Sequence, residues 1–384
     1  MKRILVLVLA LGMVAAAAST TPAASEFKIG AIFASTGPAS MLGLPEKNTA
    51  EMLAKELNEA GGINGKPVKL IFYDTEGDAT KTVTATNKLI NKDKVDVIIG
   101  PTTSGTSMAI IDLVTKERVP LISCAASIHI VVPVKHFVFK TPQTDTMAVE
   151  KIYETLKVKG IRKVAIITVS TGYGDSGRAE LLRLALDYGL EIVADERYGG
   201  KDTDMTTQLT KIKGTDAQAI VCWGTNPGPA MIAKNRKQLG MTIPLFNSHG
   251  IASPKFIELS GGAAEGTFLP AGKLIVVDQL PASDPQKAVL AKYKADYEGR
   301  FGKGSVSTFG GHAWDAFQIA VTAIQKAEKA GGATRETIRD ELEKVQGFVG
   351  TGGIFNMSSE DHIGLGKDAF VMVEIRNGTW NLAE

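Results

Sequence analysis

The chain has 384 residues, of which 44% are hydrophobic and 22% are charged, and its formal net charge is +2 at pH 7. Because phosphate backbones are bound by clustered basic side chains, this balanced charge argues against a nucleic acid partner. A chain of this length exceeds one ordinary domain, so two lobes are expected.

The first 25 residues have the pattern of a secretory signal peptide. Lys2 and Arg3 give a positive start, residues 4–18 form an apolar and small-residue run, and small residues continue to Ser25. The run is about 15 residues long, shorter than the roughly 20 that cross a bilayer as a helix, which disfavours a retained anchor. We predict export to the periplasm and removal of this segment, with cleavage after Ala18 or after Ser25 both open.

The segment from residue 27 to residue 124 alternates apolar strands with amphipathic helices, a pattern typical of a parallel sheet buried on both faces. The predicted strands cover residues 27–33, 68–73, 95–100 and 119–124. The predicted helices cover residues 46–60, 78–91 and 104–117. A short extended link is expected around residues 137–145.

A second alternating series follows this link. Its strands are predicted at residues 164–169, 191–194, 219–223 and 243–246, and its helices begin near Ser176, Asp204 and Pro227. Residues 284–345 are mostly helical, and Asn377-Gly378 between two apolar segments is a strong hairpin signal. Two such series predict an α/β fold of two doubly wound parallel-sheet lobes.

Two overlapping motifs invite an enzymatic interpretation. Residues 172–177 fit the G-x-G-x-x-G pattern of dinucleotide sites, with Asp195 and Glu196 about 20 residues later. The loop before this motif is longer than the tight turn that brings a helix N-terminus onto pyrophosphate, which disfavours dinucleotide binding. The Gly-Asp-Ser-Gly sequence around Ser176 occurs in some serine proteases, but Ser176 stands where a helix is predicted to begin, and we predict that it caps that helix.

Cysteines and histidines give no metal or redox pattern. Cys124 and Cys222 lie in separate predicted strands that we assign to different lobes, so two buried free thiols are expected rather than a disulfide, although exported proteins can form one. The histidines show no paired ligand spacing, so no metal and no cofactor are predicted. All but His249 are expected at surface or packed positions; they are His129, His136, His312 and His362.

The strand-to-helix junctions of the first series are rich in hydroxyls and small residues. These junctions are residues 35–38, residues 102–106, which include Thr103 and Ser104, and residues 125–127. Open α/β sheets bind ligands beyond the carboxyl ends of their strands, where backbone N–H groups and helix dipoles favour an anion such as a carboxylate. Ordinary capping by serine and threonine explains one such junction, whereas three on one crevice indicate a ligand site.

The junctions of the second series carry aromatic and amide groups. They contain Tyr173, Trp223 with Thr225 and Asn226, and His249. Aromatic walls with a few hydrogen-bonding groups form a pocket for an apolar body with a polar end. Packing of Trp223 in the core is the alternative.

Several motifs occur in a specific order along the chain. They are Lys-Ile-Gly at 28–30, Thr-Gly-Pro at 36–38, Asn-Glu-Ala-Gly-Gly-Ile-Asn-Gly at 58–65, Val-Ile-Ile-Gly-Pro at 97–101, Ser104-Gly105, Val-Pro-Leu-Ile-Ser at 119–123, Tyr173-Gly174, Thr203-Asp204 and His-Ala-Trp-Asp-Ala at 312–316. On these motifs the chain resembles the leucine/isoleucine/valine-binding protein family, the amino-acid branch of the type I periplasmic binding proteins, over nearly all residues after the signal peptide.

The resemblance implies a flytrap with three hinge crossovers between the lobes, near Pro142, Ala271 and Thr351. Lobe one is then expected to comprise residues 26–142 plus 271–350. Lobe two is expected to comprise residues 143–270 plus 351–384.

The resemblance also implies site residues. Those implied to hold the ligand carboxylate are Ser104, Ala125 and Ser127. Tyr173 matches the tyrosine that closes over the ligand, and Thr225 with Asn226 occupies the other second-lobe contact region.

One departure from the family concerns the ligand's amine. Where amino-acid binders of the family usually have an acidic residue, this chain has His249, and an imidazole does not supply the fixed negative charge that an ammonium group requires in a desolvated cleft. Leu42 stands where an aromatic wall residue is common.

We therefore predict a monomeric, non-enzymatic solute-binding component of an ABC importer that delivers its ligand to an inner-membrane permease. The expected ligand is a branched-chain or other apolar amino acid, and an aromatic or aliphatic carboxylate without an amine is the alternative. A sensory ligand-binding protein and an NAD-dependent enzyme are the alternative functions.

Overall fold

A computed structural model describes residues 26–383. The predicted signal peptide lies outside the described residues. Within the described part of the chain, no helix is both long and apolar enough to span a membrane.

The described residues form two large sheets surrounded by helices, and a small sheet of two short strands. The strands are β1 (Phe27–Phe33), β2 (Val68–Asp74), β3 (Val97–Ile99), β4 (Leu121–Ser123), β5 (Val138–Lys140), β6 (Lys163–Val169), β7 (Glu191–Tyr198), β8 (Ala219–Trp223), β9 (Leu245–Asn247), β10 (Thr267–Ala271), β11 (Phe348–Val349), β12 (Ile354–Phe355), β13 (Val371–Arg376) and β14 (Thr379–Leu382). The α-helices are α1 (Ser40–Glu59), α2 (Ala79–Lys88), α3 (Ser104–Met108), α4 (Ile111–Lys116), α5 (Asp145–Val158), α6 (Gly172–Leu184), α7 (Thr206–Lys213), α8 (Gly228–Gln238), α9 (Pro254–Ser260), α10 (Lys287–Phe301), α11 (Thr308–Lys329) and α12 (Arg335–Glu343).

The first sheet is entirely parallel, with the strand order β2-β1-β3-β4-β5. Its central strands are buried on both faces, as expected for a parallel sheet covered by helices. The segment expected as an extended link contains β5, which pairs with β4 in the register Leu121↔Val138. One hydrophobic core joins this sheet to the C-terminal helices α10 to α12.

Helix α1 begins at Ser40, earlier than the predicted start at residue 46, and contains Pro45. Its first turn packs closely on the end of β1, since a Cβ atom at Gly43 would lie 2.2 Å from the Ala34 carbonyl oxygen. Gly43 therefore allows a contact that any side chain would block, and this contact brings Leu42 to the edge of the sheet.

The second sheet has the strand order β14-β13-β10-β9-β8-β6-β7. Strands β6 to β10 run parallel, whereas β13 and β14 are antiparallel additions at one edge. Asn377 and Gly378 connect these two strands with positive φ values of 53° and 67°, which confirms the predicted hairpin turn. Two cores cover the faces of this sheet. The predicted two-lobed α/β fold is confirmed.

The chain passes between the two lobes three times. The first passage lies between Lys140 and Asp145, and the second follows Ala271, where residues 273–279 contact both cores. The third lies later than Thr351, since the apolar side chains that follow it pack in the first core as far as Ala369. Phe370 is the first apolar residue after Thr351 that packs in a core of the second sheet. We therefore propose that lobe one extends to Ala369 and that lobe two resumes at Phe370, instead of at residue 351.

The two cysteines are buried and unpaired. Cys124 belongs to the core of lobe one and Cys222 to a core of lobe two. This confirms the prediction of two buried free thiols in different lobes.

Candidate ligand-binding site between the two lobes

A cavity of about 350 Å³ lies between the lobes, at the carboxyl ends of the parallel strands of both sheets. Residues that follow β1 to β5, with Phe309 and His312 of α11, form one wall, and residues at the ends of β6 to β9 form the other. The predicted site residues that line it are Thr103, Ser104, Ala125, Tyr173, Thr225, Asn226 and His249. Leu42 also lines it. This position is where open α/β sheets bind ligands.

The wall from lobe one is built from hydroxyl groups and small residues. The side chain of Thr103 caps α3 by accepting a hydrogen bond from the Thr106 N–H at 3.4 Å, which fixes Ser104 as the first helical residue. Ser104 Oγ accepts a hydrogen bond from the Ser127 N–H at 3.2 Å. Among the described residues the Ser104 hydroxyl has no acceptor of its own, so its hydrogen is available to a ligand.

Ser127 differs from the other predicted site residues because its hydroxyl contacts lobe two. Ser127 Oγ lies 2.7 Å from Ser176 Oγ, and the Ser176 hydroxyl donates to the Asp145 carboxylate. Asp145 also accepts from the Ile128 N–H of lobe one at 3.0 Å. These contacts join the two lobes beside the first crossover, and Ser127 does not line the cavity.

The prediction that Ser176 caps a helix is wrong. Helix α6 begins at Gly172, and its cap is Thr171, whose side chain accepts from the Gly174 N–H. Ser176 lies one turn inside the helix and is buried at the contact with Asp145. A glycine-rich segment resembles a loop in sequence, which is why the predicted start was too late.

Packing accounts for the glycines of the dinucleotide-like motif. A Cβ atom at Gly174 would lie 1.7 Å from the Val169 carbonyl oxygen, and one at Gly177 would lie 2.1 Å from the Trp223 ring. These residues allow α6 to lie directly on β6 and β8. Trp223 is fully buried in this contact, so the alternative that it packs in the core is correct.

A buried lysine lies behind the wall of lobe one. Lys140 Nζ donates to the carbonyl oxygens of Ala126 at 2.9 Å and Pro142 at 2.7 Å, and both of these residues line the cavity. Burial lowers the pKa of Lys140 to about 7, and the charges of Asp145 and Asp361 oppose this shift. Lys140 is therefore only partly protonated near pH 7, and its protonated form places a positive charge close behind the wall, where it favours an anionic ligand.

The wall from lobe two is aromatic. The Tyr173 ring centroid lies 5.7 Å from those of Trp223 and His249, and the Tyr173 hydroxyl lies 3.5 Å from His249 Nδ1. Burial raises the pKa of Tyr173 far above its usual range, so its hydroxyl stays neutral. Asn226 is buried beside this cluster, and its Oδ1 has no protein partner among the described residues.

Two histidines line the cavity from opposite lobes. His249 follows β9, where the Ser248 side chain accepts from the Gly250 N–H at 3.4 Å and fixes the turn. His312 lies in α11 of lobe one, and the sequence-based prediction did not include it. Burial lowers the pKa of both imidazoles to about 3, so both are neutral near pH 7.

The two lobes touch across the cleft. A Cβ atom at Gly172 of lobe two would lie 3.0 Å from the Gly105 Cα atom of lobe one. The Thr308 hydroxyl at the start of α11 donates to the Ala252 carbonyl oxygen of lobe two at 3.2 Å. The cavity is therefore bounded by protein on both sides.

Comparison with known proteins identifies the family. A family model described as periplasmic binding protein matches residues 26–379. Because the match spans most of the chain, this protein belongs to the periplasmic binding protein family. The matched family and the named relatives are binding proteins rather than enzymes, which supports a solute-binding role at the level of the family.

Three similar proteins illustrate the family. The leucine-, isoleucine-, valine-, threonine-, and alanine-binding protein of Pseudomonas aeruginosa is 26% identical over 336 residues, which is 86% of this chain and 85% of the relative. An extracellular ligand-binding receptor from Rhodopseudomonas palustris has a TM-score of 0.88 at 29% identity. The match covers 94% of this chain and 100% of the receptor chain. The branched-chain amino acid transporter substrate binding protein LivJ from Streptococcus pneumoniae, solved with isoleucine, has a TM-score of 0.82 at 26% identity and covers 94% of this chain and 99% of its own. The predicted resemblance is confirmed.

Proposed function

We propose that this protein is the solute-binding component of an ABC importer and that it captures a small carboxylate-bearing solute between its lobes. The observation that carries the proposal is the cavity of about 350 Å³ with a hydroxyl wall on lobe one and an aromatic wall on lobe two. Ligand pockets commonly combine such an apolar lining with a few polar groups that fix orientation. Export of the chain and removal of its signal peptide form part of the same proposal.

The carboxylate binds to lobe one in this account. The Ser104 hydroxyl donates to a carboxylate oxygen, and Thr103 and Ala125 form the surface around it. Ser127 acts indirectly, because its N–H group orients Ser104 Oγ and its hydroxyl joins the lobes. The Lys140 charge behind Ala126 and Pro142 adds a favourable field for an anion.

Lobe two then covers the apolar body of the ligand. Tyr173 and Thr225 close over it when the hinges bend, which is the usual motion of two-lobed binding proteins. The protein acts as a monomer, and an inner-membrane permease recognises the closed form. No catalytic step is required.

Two ligand types fit this description to different degrees. The names of the similar proteins support a branched-chain or other apolar amino acid, which is the ligand favoured by the sequence. The lining favours the alternative, an aromatic or aliphatic carboxylate without an amine. The one acidic side chain in the described lining is Glu76, which is half-exposed at the edge and pairs with Lys81 at 2.5 Å.

A thermal-shift screen of the purified protein over amino acids, aromatic acids and aliphatic acids tests the proposal. A ligand of the folded state raises the melting temperature by mass action. We expect carboxylates to raise it and the corresponding amides to leave it unchanged. If no carboxylate raises it, or if the amides act equally, the proposed function is wrong.

A further inference from the structure

The two cavity histidines come from opposite lobes and are near enough for the charge of His312 to affect the pKa of His249. His249 and His312 are each only 6% exposed, yet both line the cavity. His249 Nε2 and His312 Nδ1 have no hydrogen-bond partner among the described residues. The contact of Thr308 with Ala252 holds the two segments together next to them. Two buried polar nitrogens from opposite lobes are therefore left for a ligand group.

In the described lining of the cavity the one acidic side chain is Glu76, which pairs with Lys81. Asp145 uses its oxygens to accept from the Ile128 N–H and the Ser176 hydroxyl. Asp315 accepts from the backbone N–H groups of Thr351 and Gly352. Neither carboxylate lines the cavity, so neither is placed to pair with a ligand ammonium group.

The protonated form of Lys140 adds a positive charge near the histidine pair. The Lys140 charge is one of the causes, after burial, that lower the pKa of His249 and of His312. The same field opposes an ammonium group placed between the imidazoles, and burying such a group without a counter-charge is unfavourable. Within residues 26–383 no third acidic, histidine or cysteine side chain completes a metal site around the pair.

Neutral imidazoles are suited to a different kind of ligand group. Each neutral ring has one N–H donor and one acceptor nitrogen. A hydroxyl or keto oxygen on the ligand satisfies the donor of either ring, and a hydroxyl also donates to an acceptor nitrogen. Since the rings come from different lobes, such an oxygen bonds to both lobes only when the cleft is closed.

We propose that His249 and His312 form a second polar subsite that selects carboxylates bearing an uncharged oxygen substituent, such as 2-hydroxy and 2-oxo acids, over the corresponding amino acids. This inference rests on the proposed function, because it assumes that lobe one holds the carboxylate. It extends that function by defining the substrate class and by adding His312 as a specificity-determining residue.

Matched ligands with one apolar body test the subsite by calorimetry on ligand-stripped protein. One series is 4-methylpentanoate, its 2-hydroxy and 2-oxo derivatives, and leucine. A second series is 3-phenylpropanoate, its 2-hydroxy, 2-oxo and 4-hydroxyphenyl derivatives, and phenylalanine. We expect an oxygen-bearing acid to bind about tenfold or more tightly than both its parent acid and its amino acid.

The outcomes separate the two proposals. If the amino acids bind more tightly than every oxygen-bearing acid, or if the parent acids bind equally well, the histidine subsite is wrong while carboxylate capture stands. If no member of either series binds, the proposed function itself fails and the subsite with it.

Variants of the two histidines give a second test that does not depend on the absolute affinity. We expect His312→Phe to weaken binding of the oxygen-bearing acid by about tenfold and binding of the parent acid by less than about threefold. His312→Gln retains a hydrogen-bond donor, so it should restore most of the difference in affinity between the two acids. His136→Phe, an exposed position outside the cavity, is the matched control. Equal losses for both ligands in His312→Phe would contradict the proposal.

His249→Glu supplies the missing negative charge. We expect this variant to bind leucine about tenfold more tightly than the unchanged protein does, because the carboxylate pairs with the ammonium group. If the variant does not fold, as judged by circular dichroism, the ligand series and the His312 variants still decide the proposal. A folded variant without improved leucine binding would contradict it.

Discussion

The two walls of the cavity differ in how they are built. The wall of lobe one consists of short side chains whose hydroxyls already bond to backbone groups, as Thr103 and Ser104 do. The wall of lobe two includes the rings of Tyr173 and His249, and polar atoms of Asn226 and His249 have no protein partner among the described residues. The hydroxyl wall of lobe one is therefore organised before the ligand arrives, whereas polar atoms of lobe two, together with His312 Nδ1 of lobe one, have no protein partner among the described residues. This difference agrees with binding first to lobe one and closure by lobe two.

The largest effect on stability is expected from the buried lysine behind the wall of lobe one. Lys140→Met removes the donor to several backbone carbonyl groups and the positive charge beside buried Asp145. We expect the free energy of unfolding to fall by about 3 kcal/mol, together with weaker carboxylate binding. Urea unfolding and calorimetry measure the two effects.

Lys135→Met is the matched control for this change. Lys135 Nζ also donates to two carbonyl oxygens, those of His129 and Pro133, but at the exposed surface. A similar loss of stability in both variants would show that the buried charge behind the cavity has no special role.

The next largest effect is expected on ligand affinity, from the hydroxyl wall of lobe one. Ser104→Ala removes the hydroxyl that we assign to the ligand carboxylate. We expect the free energy of binding to become less favourable by about 2 kcal/mol, which is a loss of roughly thirtyfold in affinity. Circular dichroism should show an unchanged fold. Ser305→Ala, whose hydroxyl donates to a backbone carbonyl in a loop outside the cavity, should leave affinity unchanged. Unchanged affinity in Ser104→Ala would remove this residue from the site.

Stability should depend on pH through the histidines of the cavity. The folded protein keeps His312 neutral down to a pKa of about 3, whereas an unfolded histidine takes up a proton near pH 6.5. Protons therefore favour the unfolded state as the pH falls below 6.5. Between pH 7 and pH 5 this one residue should lower the free energy of unfolding by between about 1 and 2 kcal/mol.

His312→Gln removes this contribution, so the variant should lose less stability than the unchanged protein between pH 7 and pH 5. Urea unfolding at three pH values checks the slope, with His136→Gln as the control. Parallel slopes for His312→Gln and the unchanged protein would mean that His312 is not buried in its neutral form.

The smallest effect is expected at the contact between the walls. Gly172→Ala places a methyl group about 3 Å from Gly105 and hinders full closure without disturbing α6. We expect about a threefold loss of affinity with no loss of stability, since alanine favours a helix more than glycine does. Gly299→Ala in α10, where a methyl group meets open space, is the control. Unchanged affinity in Gly172→Ala would mean that this contact does not limit closure.

Local patterns were sufficient for most of the fold. Apolar strands separated by amphipathic helices predicted both sheets, and Asn377-Gly378 predicted the hairpin turn. Strand β5 was missed because it has three residues and ends in the charged Lys140, whose burial depends on carbonyl groups contributed by the surrounding loops. The position of the third crossover depends on the core in which residues 355–369 pack, and no local sequence pattern predicts this.

The site was predictable where function follows from position at the end of a strand. Thr103, Tyr173 and Asn226 all follow strands and line the cavity. His312 does not follow a strand, since it lies in a helix that returns to lobe one from the C-terminal part of the chain. Its one local signal is the spacing from Phe309, which places both side chains on the same helix face.

Titration calorimetry of the ligand-stripped protein with a small apolar acid and with its amide tests the central claim most directly. We predict one-to-one binding of the acid, loss of most of that affinity in Ser104→Ala, and no measurable binding of the amide. Equal binding of acid and amide, or acid binding that Ser104→Ala leaves intact, would contradict the capture of a carboxylate by the wall of lobe one.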